Sequence, residues 1–203
     1  KIFKLNDLNN YIIKNRVSTD IILCLGSTLI LPKNLIKVAK IGALNIHPSI
    51  LPKYRGRYSL PHAIFKNERY TGITVHWIGS EIDNGKIITQ KKIRILKEDT
   101  AETLYKKFTD FSILEFKKIF NKIILNKKIP LQKHKKTKTK YRKKHFPNFG
   151  KIDWKWKGKK IYNFLRSMIH EPFYPPEIKI GSKSFFLVSK KYLKEKSFLK
   201  SPK

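Results

Sequence analysis

Gly42-Ala-Leu-Asn45-Ile-His47-Pro-Ser-Ile-Leu-Pro52-Lys-Tyr-Arg-Gly56 is the stretch on which the reading of this chain turns. It overlaps the apolar run Ile41-Gly-Ala-Leu-Asn-Ile46, and Ile21-Ile-Leu-Cys-Leu25 is a second such run, so both read as short strands. Asn45 and His47 then sit where a strand ends and a loop begins, which is where open α/β sheets hold ligands. Residues i and i+2 of an extended segment share a face, so both side chains can point at one atom. An amide nitrogen suits a carbonyl oxygen that gains charge, and a neutral imidazole can take or relay a proton near pH 7. Pro48 and Pro52 stiffen the following loop, while Gly56 and Gly85 permit backbone conformations or close approaches that a side chain would obstruct.

Downstream, Gly72-Ile-Thr-Val-His-Trp-Ile-Gly-Ser-Glu-Ile-Asp83-Asn-Gly85 adds a carboxylate able to orient the imidazole or raise its basicity. Each residue alone has a plain structural reading. A His beside a Pro is more often a surface or core residue, and Asn45 and Asp83-Asn-Gly are turn signals. Their joint appearance points to acyl transfer without a covalent intermediate.

A coarse pass outward reads Leu8 to Lys14 as helix, Ile21 to Leu25 as strand, Leu35 to Ala39 as helix and Leu44 to His47 as a strand end. Ser59 to Lys66 reads as helix, and Ile73 to Trp77 and Ile87 to Ile95 as strands. The alternation is the one a parallel α/β sheet requires. A long helix follows, opened by an Asp99/Glu102 capping box and striped by Leu104, Tyr105, Phe108, Ile119, Phe120, Ile123 and Ile124. Three segments are expected: a catalytic core over 1–126, a lysine-rich connector over 127–150 and a small C-terminal subdomain over 151–203. The last contains an amphipathic helix around Ile161 to Arg166 and a hairpin turning at Gly181.

Asn45-Ile-His47-Pro-Ser-Ile-Leu-Pro-Lys-Tyr-Arg-Gly56, Ala63-Ile64, Thr71-Gly72-Ile-Thr-Val-His76 and Ile82-Asp83-Asn-Gly85-Lys-Ile-Ile-Thr-Gln90 together resemble the core of the formyltransferases that use N10-formyltetrahydrofolate. The likeness runs from about residue 20 to 110, with echoes at Ile152-Asp-Trp154 and Phe164-Leu-Arg166. It implies a Rossmann-like core and a catalytic trio of Asn45, His47 and Asp83. An acceptor amine would attack the formyl carbon, Asn45 and protonated His47 would stabilise the oxyanion, and Asp83 would hold His47 and help move protons. The folate would lie against Ser27, Leu29, Ile30 and Leu31 and against Ile78, Gly79, Ser80 and Ile82. Members begin with an earlier strand-helix unit of about 30 residues, so the chain is expected to be a fragment of that architecture. They carry Pro-Gly near an Arg like Arg166, where this chain has Pro175-Pro176.

Composition narrows the setting. In 203 residues, 40% hydrophobic, there is enough apolar content for a sizeable core. One cysteine excludes an internal disulfide, and the six scattered His residues have no zinc spacing, so no metal is expected. No signal peptide or membrane-length run is present, and a cytoplasmic enzyme fits. The net charge of +32 raises nucleic acid as a partner. Lysine is spread over nearly every segment, however, whereas a phosphate-binding surface shows clustered Arg with exposed aromatics. Only the connector is a concentrated patch, solvated or suited to tRNA or a nucleotide diphosphate.

The acceptor is expected to be a nucleotide-linked amino sugar, because Tyr54-Arg-Gly-Arg-Tyr-Ser59 and the short C-terminal segment resemble that branch. Methionyl-tRNA is the second candidate and glycinamide ribonucleotide the third. A homodimer is compatible with this reading. A truncated paralogue that binds folate, nucleotide or RNA without turnover is the alternative of another class.

Overall fold

The apolar run around Leu44 becomes an inner strand of a four-stranded sheet in the computed structural model, which describes residues 5–15, 17–25, 30–125, 131, 140–141, 146–170, 176–180 and 182–186. In chain order the elements are α1 (Leu5–Lys14), β1 (Thr19–Leu25), α2 (Lys33–Lys37), β2 (Ala39–His47), β3 (Arg55–Gly56), α3 (Ser59–Phe65), β4 (Tyr70–Trp77), β5 (Ile87–Arg94) and α4 (Ala101–Ile124). They continue with β6 (Lys140–Tyr141), a 3-10 turn (Pro147–Gly150), α5 (Gly158–Met168), β7 (Glu177–Ile180) and β8 (Lys183–Phe186).

The sheet order is β1-β2-β4-β5, and the sheet is mixed rather than wholly parallel. β1 and β2 run parallel, while β4 is antiparallel to β2 and β5 to β4. The alternating pattern could not distinguish a crossover from a reversal. Between β4 and β5 lies only a loop without a helix, too short for the crossover that a parallel neighbour needs.

Alternation along β2 and β4 sorts the residues into two faces. Leu44, Ile46, Ile73 and Val75 are buried against Leu60 and Ile64 of α3 and Leu104, Phe108, Ile119 and Ile123 of α4. Each such aliphatic side chain contributes about 1.5–3 kcal/mol on burial, so a one-residue slip that exposed this face is strongly disfavoured. The opposite face carries Asn45, His47, Thr74 and His76. The register pairs Asn45 with His76 and His47 with Thr74.

Local structure differs from expectation in several places, and α1, β1 and β4 begin two or three residues earlier, at Leu5, Thr19 and Tyr70. α2 stops at Lys37 because Ala39 is already paired with Thr19 of β1. The capping box of α4 is formed by Thr100 and Thr103, whose hydroxyls accept each other's backbone N–H at 3.2 and 3.0 Å. Asp99 is buried instead, accepting from the Leu96 N–H at 2.6 Å and from Lys107 Nζ at 2.7 Å. At the far end of α4, Ile124 is half exposed rather than part of the buried stripe.

α5 packs on α3 through Phe164, which is fully buried and makes edge contacts with the rings of Phe65 and Trp156. Arg166 is also buried and donates to the carbonyls of Leu96 and Asp99 in the loop that leads into α4. Within the expected connector, Lys140 and Tyr141 pair parallel with Arg55 and Gly56, and Phe146 packs on Tyr58. Its residues 127–130, 132–139 and 142–145 lie outside the described residues, as do Pro175 and Gly181. The β7–β8 hairpin expected around Gly181 is formed.

Candidate active site

Asp83 stands at the centre of the polar face. It lies in the turn between β4 and β5 with φ 47°, a left-handed conformation that Asp tolerates better than most residues. Oδ1 accepts from Asn45 Nδ2 at 3.2 Å, and Oδ2 accepts from the Gly56 N–H at 2.8 Å. His47 Nδ1 lies 3.4 Å from Oδ2, and His76 Nε2 lies 3.5 Å from Oδ1.

The rest of the loop is folded to bring this about. Gly56 presents its N–H to Asp83 from a backbone φ of 90°. Gly85 packs so tightly on the Trp77 carbonyl that any side chain would overlap it, so its part is a close backbone approach within the fold. Arg55, 2% exposed, donates Nε and Nη2 to the Ile82 carbonyl and Nη2 to Glu81 at 3.3 Å, clamping the turn that carries Asp83.

Each imidazole has one nitrogen on a backbone carbonyl and the other toward Asp83. His47 Nε2 lies 2.9 Å from the Tyr54 carbonyl and His76 Nδ1 lies 2.8 Å from the Trp77 carbonyl. A carbonyl only accepts, so these partners assign the neutral-state proton to Nε2 of His47 and Nδ1 of His76. A proton taken up on the other nitrogen of either ring would face Asp83. Burial pulls the His47 pKa below its usual value, and the Asp83 charge works against that pull. Burial alone would raise the Asp83 carboxyl, but the His76 and His47 imidazoles and the Gly56 N–H outweigh it and hold it at about 2.

Asn45, His47 and Asp83, separated by up to 38 positions, are therefore in one group, Asn45 hydrogen-bonded to Asp83 and His47 Nδ1 3.4 Å from its carboxylate. Both Asn45 amide protons are engaged, one by Asp83 and one by His76 Nε2 at 3.2 Å. A substrate oxygen has to displace one of these partners to receive the amide. His47 is 3% exposed, with its Nε2 turned into the loop toward Tyr54 and Ser59.

The eight positions expected to hold folate fare unevenly. Ser27 and Leu29 lie outside the described residues. Ile30 is 70% exposed and Leu31 half-buried, just before α2. Ile78 donates its N–H to the Ala43 carbonyl, Gly79 and Ser80 are exposed, and Ile82 presents an exposed side chain beside Asp83 while Arg55 takes its carbonyl. An exposed apolar side chain next to a fixed carboxylate fits a flat, partly apolar ring. Among the described residues there is no group of three His, Cys, Asp or Glu that could hold a metal ion. Cys24 is buried in β1.

The formyl transferase family model matches residues 7–116, more than half of the chain. The chain belongs to the formyl transferase family. It is 30% identical over 170 residues to the GDP-perosamine N-formyltransferase of Brucella melitensis biotype 1, covering 84% of this chain and 64% of that protein. It is 32% identical over 165 residues to a methionyl-tRNA formyltransferase of Staphylococcus epidermidis, covering 81% of this chain and 53% of that one. Among solved structures it matches an N-formyltransferase from Helicobacter canadensis, in complex with folinic acid and dTDP-3-aminofucose, with a TM-score of 0.63 and 29% identity over 72% of this chain and 54% of that one. The chain thus spans between about half and two thirds of the length of these proteins.

Two residues of the candidate site escaped the sequence reading. His76 sits inside the Thr71 to His76 motif, but its place opposite Asn45 requires the antiparallel register of β2 and β4. Arg55 sits inside the loop motif, but its partners lie 26 and 27 residues away. The signal available for His76 was its even spacing from Thr74 in an alternating strand. For Arg55 there was none beyond its presence in the motif.

Proposed function

We propose that this formyl transferase moves a formyl group from N10-formyltetrahydrofolate to the amino group of a nucleotide-linked amino sugar. The observation that carries the reading is Asp83, held ionised between Asn45 and two imidazoles at the mouth of the β4–β5 turn. The bound folate supplies the formyl group, with Ile30, Leu31 and the Ile78 to Ile82 stretch, together with Ser27 and Leu29, as its seat. Asn45 turns its amide to the oxygen that gains charge as the acceptor amine adds. The proton lost by that amine is taken up in the Asp83–His47–His76 group, where either imidazole becomes a cation paired with Asp83, and it passes to folate N10 as the adduct collapses, the N10–formyl bond breaks and tetrahydrofolate leaves. Arg55 and Gly56 keep Asp83 in place during this exchange.

The sugar acceptor is supported by likeness to a protein named GDP-perosamine N-formyltransferase and to an N-formyltransferase solved in complex with dTDP-3-aminofucose. Methionyl-tRNA is the second reading, supported by a likeness of similar extent to a methionyl-tRNA formyltransferase. We assign residues 1–126 to the catalytic core, 127–150 to a connector and 151–203 to a small subdomain resting on α3 through α5. A cytoplasmic location goes with this reading, and a homodimer is the assembly to test. Among the described residues no helix is long and apolar enough to cross a membrane.

A folate-coupled turnover assay on the protein, offered GDP- and dTDP-linked amino sugars beside methionyl-tRNA, decides between these readings. Formylation of a sugar supports the first and formylation of the tRNA the second. Absence of turnover with every acceptor would replace both with a binding paralogue.

A further inference from the structure

A groove of about 910 Å³ opens where the start of β4, the end of β5 and α5 meet. Tyr70 on its rim precedes His76 by six residues along β4, about 20 Å at the rise of a strand, so the groove is separate from the Asp83 site. Its walls carry Arg69, Arg94, Lys97 and Lys159, all exposed. None of the four makes an ion pair among the described residues. Two acids also face the groove. Glu68 is bound by Lys53 and the Tyr54 hydroxyl, and Glu98 lies near Arg166. Arg166 closes the wall from α5, with its donors on the Leu96 and Asp99 carbonyls.

Three of the seven arginines of the chain therefore line one groove. A general enrichment in lysine does not produce that cluster. Two tyrosines join it, Tyr70 and Tyr162, 53% and 52% exposed. Guanidinium forks match phosphate oxygens, and an exposed phenol ring offers a face on which a base can stack. The combination of clustered arginine and exposed aromatics, absent from the linear sequence, is assembled here by the fold.

We propose that this groove is a second binding site that takes a nucleotide, with its phosphates on Arg69, Arg94 and the neighbouring lysines and its base against Tyr70 or Tyr162. Its volume is that of a small-ligand site. The same chemistry would serve a free nucleoside diphosphate or one nucleotide of an RNA strand.

The test is photo-crosslinking of the full chain with 8-azido-ADP, alongside titration with ADP. The expected result is label on the peptides that carry Tyr70 or Tyr162, competed by ADP. In the Arg69→Ser/Arg94→Ser double variant, ADP binding should weaken by about tenfold or more with an unchanged thermal melt. A Lys159→Glu variant on α5 should weaken it too, without touching the strands. Label found only on other peptides, or unchanged ADP affinity in both variants, would overturn the proposal. Displacement by inorganic diphosphate as effective as by ADP would overturn the nucleotide in favour of a simple anion. Short oligouridylate that outcompetes ADP, with a steep loss in salt, assigns the nucleotide to RNA, and failure to compete assigns it to the free form.

Discussion

Asn45 and His76 stand opposite each other across β2 and β4, and Asn45 Nδ2 lies 3.2 Å from His76 Nε2. The Trp77 carbonyl holds the other ring nitrogen at 2.8 Å and so leaves Nε2 as an acceptor. The pair sets the direction in which the Asn45 amide points before any substrate arrives. It also joins a fourth residue to the trio expected from the motif.

Replacing His76 with Phe keeps the ring volume and removes both nitrogens. Loss of a buried hydrogen-bond partner costs about 1–3 kcal/mol, so kcat/KM should fall by about tenfold to a hundredfold. Folate affinity measured by equilibrium dialysis should stay within about threefold if the residue acts on the amide rather than on the folate. Unchanged turnover in this variant would remove His76 from the site.

Asn45→Ala should lower kcat by on the order of a hundredfold or more if the amide serves the developing oxyanion. His47→Ala should remove most turnover as well. Folate binding should survive in both, because neither residue belongs to the folate seat. Steady-state kinetics with full activity in His47→Ala would sink the proton-transfer scheme.

Acid stability follows from the titrating groups. Asp83 is depressed from 3.8 to about 2 by folding, so its contribution is complete above about pH 4 and is lost as the pH falls through about 2. The depression corresponds to about 2 kcal/mol. His47 is also depressed, from 6.5, but as a base it charges on unfolding, so the stability it carries declines as the pH drops below about 6.5. Urea unfolding followed by circular dichroism across pH should therefore show two declines. Asp83→Asn should abolish the lower one, and His47→Gln should flatten the upper.

Gly85→Ala should be among the most damaging single changes, because its Cβ would overlap the Trp77 carbonyl backbone. A cost above about 3 kcal/mol, or failure to fold, is expected. Gly158→Ala is the control, since a Cβ there meets nothing within 4 Å at the first residue of α5. That change should be neutral or stabilise by up to about 1 kcal/mol in denaturant melts.

The sequence by itself determined the elements around the motif and the co-orientation of Asn45 with His47. Both depend on local periodicity, and a spacing of two in a strand leaves no choice of face. It also marked Asp83 through the resemblance of its motif to the formyltransferases. Only the tertiary structure decided the antiparallel course of β4 and β5, the partnership of His76 with Asn45 and the Arg55 clamp on Ile82. It likewise moved Asp99 from an expected cap into a buried site beneath Arg166, 67 residues away. The tyrosine-and-arginine groove belongs to the same class. In each case the partners are distant in the chain, and what brings them together is the burial of one apolar sheet face against α3 and α4. That burial sets the register, and the register then selects which polar residues meet on the other side.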